Sequence, residues 1–324
     1  MENEIIFGDS LDPYRNLAVE EALFLRPSGS VALYLWQNQN TVVIGKNQCA
    51  YTECRLPLLM NEGAVLARRT SGGGAVFHDL GNLNFTFIAP RAAYDVPRQL
   101  GVILSALGML GIAAHASGRN DLTLDESNAK FSGCAFRVGR ERAFMHGTLL
   151  VSADLEKLSR YLAPPPEKYR SKGVASVRAR VENLSAVNPS VDIYAVREAL
   201  CRAFAEEYGK AVQLNPALLD AETIAALAAR NASDEWRLGK ISPSDATLGT
   251  RFTFGRMDFY FALDRGVITN CTVFSDAMDA VLPEVISSLL PGAAFTGEAV
   301  AERISSLGTT DAAEIAAFFA RQII

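Results

Sequence analysis

Arg68-Arg69-Thr70-Ser71-Gly72-Gly73-Gly74-Ala75-Val76-Phe77-His78-Asp79 is the most unusual stretch of this chain. It follows an apolar run at 65–68 that reads as a strand, so three glycines open directly off a strand end. Lacking a Cβ, they let the backbone approach a ligand closely and turn its N–H groups toward an anion. The two arginines ahead of them can supply charge to a phosphate or carboxylate. No Gly-Lys-Ser/Thr follows, which excludes a Walker A loop, and the Gly-x-Gly-x-x-Gly spacing of a dinucleotide site is missing. A glycine-rich hairpin with two solvated arginines explains the same residues, and an isolated triplet favours that plainer account.

Around this turn, β-branched and aromatic runs at 5–7, 31–36, 41–44 and 83–88 read as further strands. Helical patterns lie at 16–24, with Glu20 and Glu21 on its polar face, and at 97–107, 153–162 and 193–208. The mixture predicts an α/β or α+β fold with a mostly buried sheet. A turn-rich segment at 240–249 predicts a boundary, with one domain at 1–243 and a small α+β domain at 250–324. In the latter, strand alternation at 250–274 turns at Asp264-Arg265-Gly266 and two or three helices follow.

The 324 residues are 49% hydrophobic and 21% charged, which excludes a disordered or collagenous chain. With 31 basic against 36 acidic residues there is no global field for nucleic acid, so phosphate chemistry must be local. Cys49, Cys54, Cys134, Cys201 and Cys271 are scattered without a Cys-x-x-Cys pair, which argues against disulfides or structural zinc. The acidic start does not read as a secretory signal, and the uncharged run 99–118 has an apolar core too short to cross a bilayer. It predicts a buried helix followed by a strand, and a cytoplasmic protein.

Two further segments bear on chemistry. Ser117-Gly118-Arg119-Asn120-Asp121-Leu122 leads to Lys130-Phe131-Ser132-Gly133 and then to Met145-His146-Gly147. Strand alternation would put Lys130 and Ser132 on one face. A lysine on an inner sheet face wants an anion, although a strand-edge lysine facing water is the commoner case. His146 reads better as a satisfied core histidine than as a base. The third segment, 167–181, holds Lys168, Arg170, Lys172, Arg178 and Arg180 against Glu167, and suits either a mobile loop closing on phosphates or a solvated basic face. No Gly-x-Ser-x-Gly elbow and no His-Glu-x-x-His are present, which disfavours a serine hydrolase and a metallohydrolase.

Taken in order, these segments, with 12–21, 41–45 and the C-terminal Glu235-Trp236 and Phe252-Thr253-Phe254-Gly255, resemble the lipoate-protein ligase A family over essentially the whole chain. The resemblance implies a large domain of the biotin/lipoate ligase and class II aminoacyl-tRNA synthetase type plus a small accessory domain. It implies a reaction in which lipoate and ATP, with Mg2+, give lipoyl-AMP, and the lipoyl group passes to a lysine on lipoyl domains of 2-oxoacid dehydrogenase E2 subunits or on glycine-cleavage H protein. By position it assigns Lys130 to catalysis, Arg69, Gly74, Ala75, Val76, Phe77, Lys130, Lys172 and Arg178 to ATP or the adenylate, and Arg68, Ser71, Gly72, Gly73, Lys130 and His146 to lipoate. The strand Asn84-Phe85-Thr86-Phe87 is expected to line an apolar tunnel for the dithiolane. The competing readings are an octanoyl or lipoyl transferase, which needs a nucleophilic cysteine where this chain has Leu162-Ala163-Pro164, and a non-catalytic lipoate-binding protein.

Overall fold

The computed structural model describes residues 2–118, 120–162, 181–239 and 244–322. The chain forms two compact units: Met1–Ile44, Ala50–Arg69 and Ala75–Arg237 make the larger, and Gly45–Cys49, Thr70–Gly74 and Leu238–Ile324 the smaller.

The larger unit runs β1 (Asn3–Phe7), α1 (Pro13–Leu25), β2 (Ala32–Trp36), β3 (Thr41–Ile44), α2 (Ala50–Glu53), α3 (Leu56–Asn61), β4 (Val65–Arg68), β5 (Val76–His78), β6 (Asn82–Pro90), α4 (Val96–Met109), β7 (Ala114–Ser117), β8 (Asp121–Leu124), β9 (Lys130–Val138), β10 (Arg142–Leu150), α5 (Leu155–Tyr161), α6 (Leu184–Val187), α7 (Ile193–Tyr208), β11 (Ala211–Leu214), α8 (Ala221–Ala232) and α9 (Asp234–Arg237). An eight-stranded mixed sheet has the order β11-β1-β2-β6-β10-β9-β8-β7, and β4-β3-β5 form a second, small sheet. Among the described residues no helix is long and apolar enough to cross a membrane.

Alternation along the central strands sorts side chains to two faces. Leu33, Leu35, Phe85, Phe87 and Met145 share one core with residues of α4 and α7. Ala32, Tyr34, Trp36, Ile88 and Phe144 share the other with α1, part of α8, and Val43 and Ala67 of the small sheet. Because both faces are covered, β2 and β6 are almost wholly buried; β2 is accordingly apolar throughout, whereas β6 also buries Asn82, Asn84 and Thr86. Helix α1 starts three residues before the apolar pattern: the Asp12 side chain accepts from the Tyr14 N–H, and Pro13 occupies the first turn, where its missing donor costs nothing.

Glu20 and Glu21 do not face solvent. They are 1% and 5% exposed, because α1 packs its Asn16–Glu20 seam against the sheet and presents Glu21 to Arg137 and Arg230.

In the smaller unit, β12 (Ala246–Phe252), β13 (Gly255–Asp264) and β14 (Val267–Ser275) form an antiparallel meander, followed by α10 (Leu282–Leu289), α11 (Gly297–Ser305) and α12 (Thr310–Phe319). Phe259, Phe261 and Phe319 centre its core. The turn at 264–266 places Arg265 and Gly266 at positive φ. Strand β12 begins inside the stretch expected as a linker, since Ala246 and Leu248 pack on this core.

Candidate active site

Lys130 opens β9, and its ammonium lies 2.7 Å from the Asp121 carboxylate of β8. Ser132 is on the other face, contrary to simple alternation. A β-bulge shifts the pairing, so that Leu122 opposes Ser132 while Thr123 opposes Lys130. Ser132 is therefore 1% exposed and directed with core residues, whereas Lys130 keeps about a third of its side chain in solvent.

Further along the same face, a charged cluster is shut away from water. Glu20 accepts from the Thr86 hydroxyl at 2.7 Å and lies 2.7 Å from His146 Nδ1. His146 is thus a satisfied core histidine. Arg69 is 5% exposed; burial lowers its guanidinium to about 10, while the nearby Glu20 carboxylate acts in the opposite sense. It remains a cation at neutral pH, held under the surface, and it donates to the Val43 carbonyl at 3.3 Å. His78 is pushed down to about 3, first by burial and then by the neighbouring Arg69 and His146. Asn38 Nδ2 donates to its Nδ1 at 3.1 Å, which puts the proton on Nε2, and that buried Nε2–H has no partner among the described residues. Arg68 is buried too: it donates to the carbonyls of Trp236 and Arg237, and the Trp236 indole N–H returns a bond to the Arg68 carbonyl. Neither arginine is solvated, so the plain-hairpin account of this stretch fails on burial.

The glycine turn packs with the smaller unit's own chain. Gly73 has φ 86° and its N–H donates to the Ala277 carbonyl at 2.9 Å. A Cβ on Gly72 would come within 2.4 Å of the Ala277 and Met278 carbonyl oxygens. The Ser71 carbonyl accepts from the Lys46 N–H, and Lys46 Nζ lies 2.8 Å from Glu284. The glycines thus serve close approach, as expected, but to a peptide segment.

Of the remaining expected residues, Gly74 is exposed, Ala75 and Val76 are half-buried, and Phe77 is buried against Tyr161 with ring centroids 5.3 Å apart. Phe77 can therefore offer a ligand only its backbone. Lys172 and Arg178 lie outside the described residues. Phe85 and Phe87 do not line a tunnel beside Lys130: both are 0% exposed in the core under α4 and α7, while Asn84 and Thr86 take the other face. Cys134 is buried and its thiol is pushed up to about 12, so it is no nucleophile at neutral pH. Among the described residues, no group of three His, Cys, Asp or Glu side chains is placed to hold a metal ion.

Glu20, His78 and Asp121 are site residues that had no assigned role. The signal for Glu20 was present: Asn16 and Glu20, four apart with Leu17, Ala18 and Val19 between them, form a polar seam that must meet polar partners when buried.

Known proteins match the chain over these same regions. The family described as lipoyl protein ligase A/B catalytic domain matches residues 12–205, and bacterial lipoate protein ligase C-terminus matches residues 244–318. P. falciparum LipL1, solved in complex with lipoate, is 25% identical with a TM-score of 0.87, covering 99% of this chain and 100% of that one. The bipartite lipoate protein ligase of Thermoplasma acidophilum, described with its E2 lipoyl domain, is 29% identical with a TM-score of 0.65 over 76% of this chain and 100% of that one. A lipoate-protein ligase A bound with ATP is 26% identical with a TM-score of 0.63 over 74% and 100% of the two chains.

Proposed function

Since this chain belongs to the lipoate-protein ligase A family, carrying both its catalytic and its C-terminal segments, we propose that it condenses lipoate with ATP to lipoyl-AMP and pyrophosphate. It then transfers the lipoyl group to a lysine of an acceptor, either an E2 lipoyl domain of a 2-oxoacid dehydrogenase or the glycine-cleavage H protein. A cytoplasmic setting, where ATP is abundant, suits this reaction.

The observation that carries the reading is Lys130, poised at a strand start beside Asp121 on the sheet face that also holds the buried charges. Attack of a carboxylate on the α-phosphate brings two anions together. A fixed ammonium at the junction reduces that repulsion and stabilises the charge that develops. In the second step the same ammonium polarises the acyl carbonyl. Asp121 holds the Lys130 chain in position before substrate arrives. Arg69, buried and still cationic, contributes as a fixed charge rather than as a reaching side chain. The unpartnered Nε2–H of His78 supplies an uncharged donor. Mg2+ accompanies ATP phosphates in such chemistry, but the described carboxylates form no cage for it, so no step is assigned to a protein-held metal.

A transferase working through a cysteine thioester is disfavoured by the buried, high-pKa Cys134 and by the absence of cysteine at 155–200. The test is the intact mass of a recombinant lipoyl domain after incubation with lipoate and ATP, set against octanoyl carrier protein without ATP. Acylation only in the first mixture supports the ligase; acylation only in the second overturns it.

A further inference from the structure

β7 is the edge strand of the eight-stranded sheet. His115 of β7 pairs with Thr123 of β8, and Thr123 pairs with Lys130 of β9. Directly paired residues share a face, so the three side chains form one row running from the rim to Lys130. His115 Nδ1 lies 2.6 Å from Asp125 Oδ1, and its Nε2 lies 3.1 Å from Thr123 Oγ1. With Nδ1–H donating to the carboxylate, Nε2 presents its lone pair to the hydroxyl. This is the acid–imidazole–hydroxyl order in which a base is oriented by an acid. The His115 and Asp125 side chains are 50% and 51% exposed, and a pair so exposed contributes little to stability.

The proposed reaction leaves one demand unmet. An acceptor lysine arrives as an ammonium with no lone pair, and Lys130, itself a cation, cannot take its proton. The chain has three histidines. His78 is buried and His146 is buried against Glu20, so neither can meet an amine carried by another protein. Only His115 lies at the rim. Among the described residues the charged partners along this row are Asp125, in the turn after β8, against His115, and Asp121 of β8 against Lys130 of β9.

We propose that His115, oriented by Asp125, is the general base of the transfer step, acting through the Thr123 hydroxyl; this rests on the acyl-adenylate reading above. The acceptor ammonium gives one proton to Thr123 Oγ as that hydroxyl passes its own to His115 Nε2. The freed lone pair forms the C–N bond to the acyl carbon. The C–O bond to the α-phosphate then breaks, and its electron pair leaves on AMP. The second amine proton and the imidazolium proton go to water.

The test uses the full chain, preformed lipoyl-AMP and a lipoyl domain, with adenylation followed separately by pyrophosphate release. In His115→Gln, transfer is expected to fall about 100-fold, the low end for loss of a general base, while adenylation stays within about threefold. Raising the pH toward about 10, where lysine deprotonates unaided, should narrow the gap. Asp125→Asn and Thr123→Val should show the same selective loss, smaller in size. Transfer by His115→Gln at the wild-type rate, or an equal loss in both half-reactions, overturns this inference alone. Wild-type protein that cannot use supplied lipoyl-AMP overturns the ligase reading and the inference with it.

Discussion

Glu20, Arg69, His78 and His146 are shut inside the larger unit, whereas Lys130, Asp121, Thr123 and His115 run out to the open edge of its sheet. The two groups draw on similar residue types and differ in access to water. Inside, burial holds His78 neutral down to about 3 and lowers Arg69 to about 10, so the protonation of these two is fixed across physiological pH. Such groups shape and charge a site without exchanging protons. At the rim, Lys130, Asp121 and His115 keep about a third to a half of their side chains in solvent, with the 9% exposed Thr123 between them, and can change partner during a reaction. On the proposed function, that difference gives positioning to the interior and chemistry to the edge.

The sharpest way to break this contrast is Lys130→Ala. Loss of one fixed donor to a developing charge costs about 100- to 1000-fold in rate, while stability should change by about 1 kcal/mol or less, because the Lys130–Asp121 pair is about one-third exposed. Adenylation rate and urea unfolding, measured on one preparation, check both halves. A folded variant with near-wild-type adenylation would remove Lys130 from the site.

Glu20→Ala should do the opposite, striking stability first. It leaves buried Arg69 without its counter-charge and strips partners from His146 and Thr86, a class of change that costs about 3–5 kcal/mol. Urea titration reads it. A loss below about 1 kcal/mol would mean that the interior charges are solvated after all.

The glycine turn offers a third case, close packing without charge. Gly72→Ala would set a methyl 2.4 Å from two peptide oxygens, and the resulting shift should cost about 1–3 kcal/mol. Differential scanning calorimetry would detect it, and an unchanged melt would show that the 277–278 segment yields freely.

The smallest effect is in pH. His78 has its folded pKa at about 3, below the value of about 6.5 for an unfolded histidine. The unfolded chain therefore binds the extra proton between those values. The stability this neutral histidine contributes is fully present above about pH 6.5 and is lost as pH falls toward about 3, amounting to about 1.4 kcal/mol by pH 5.5. His78→Gln should flatten that part of the unfolding profile. An equally steep profile in the variant would assign the slope to other groups.

Periodicity and turn chemistry were enough to place β1 to β4, β6, α1, α4, α7 and the 264–266 turn, because those signals lie within a few residues of one another; β5, three residues long, carried no such signal. The resemblance to lipoate-protein ligases was likewise written in local motifs, and the family matches agree with it. What the linear sequence left open was the side to which each residue turned. The bulge between Leu122 and Thr123 sends Lys130 to one face and Ser132 to the other, and on β6 Phe85 and Phe87 lie in the core under α4 and α7 rather than in a tunnel. Glu20, which a helical wheel sends to solvent, is buried on Thr86 and His146, 66 and 126 residues away. Short-range preference determines which segments become strands and helices. Burial, proton affinity and ion pairing depend on partners that only tertiary packing brings within a few ångströms, and those partners decided which of the three histidines stay at the surface and that Arg68 and Arg69 do not.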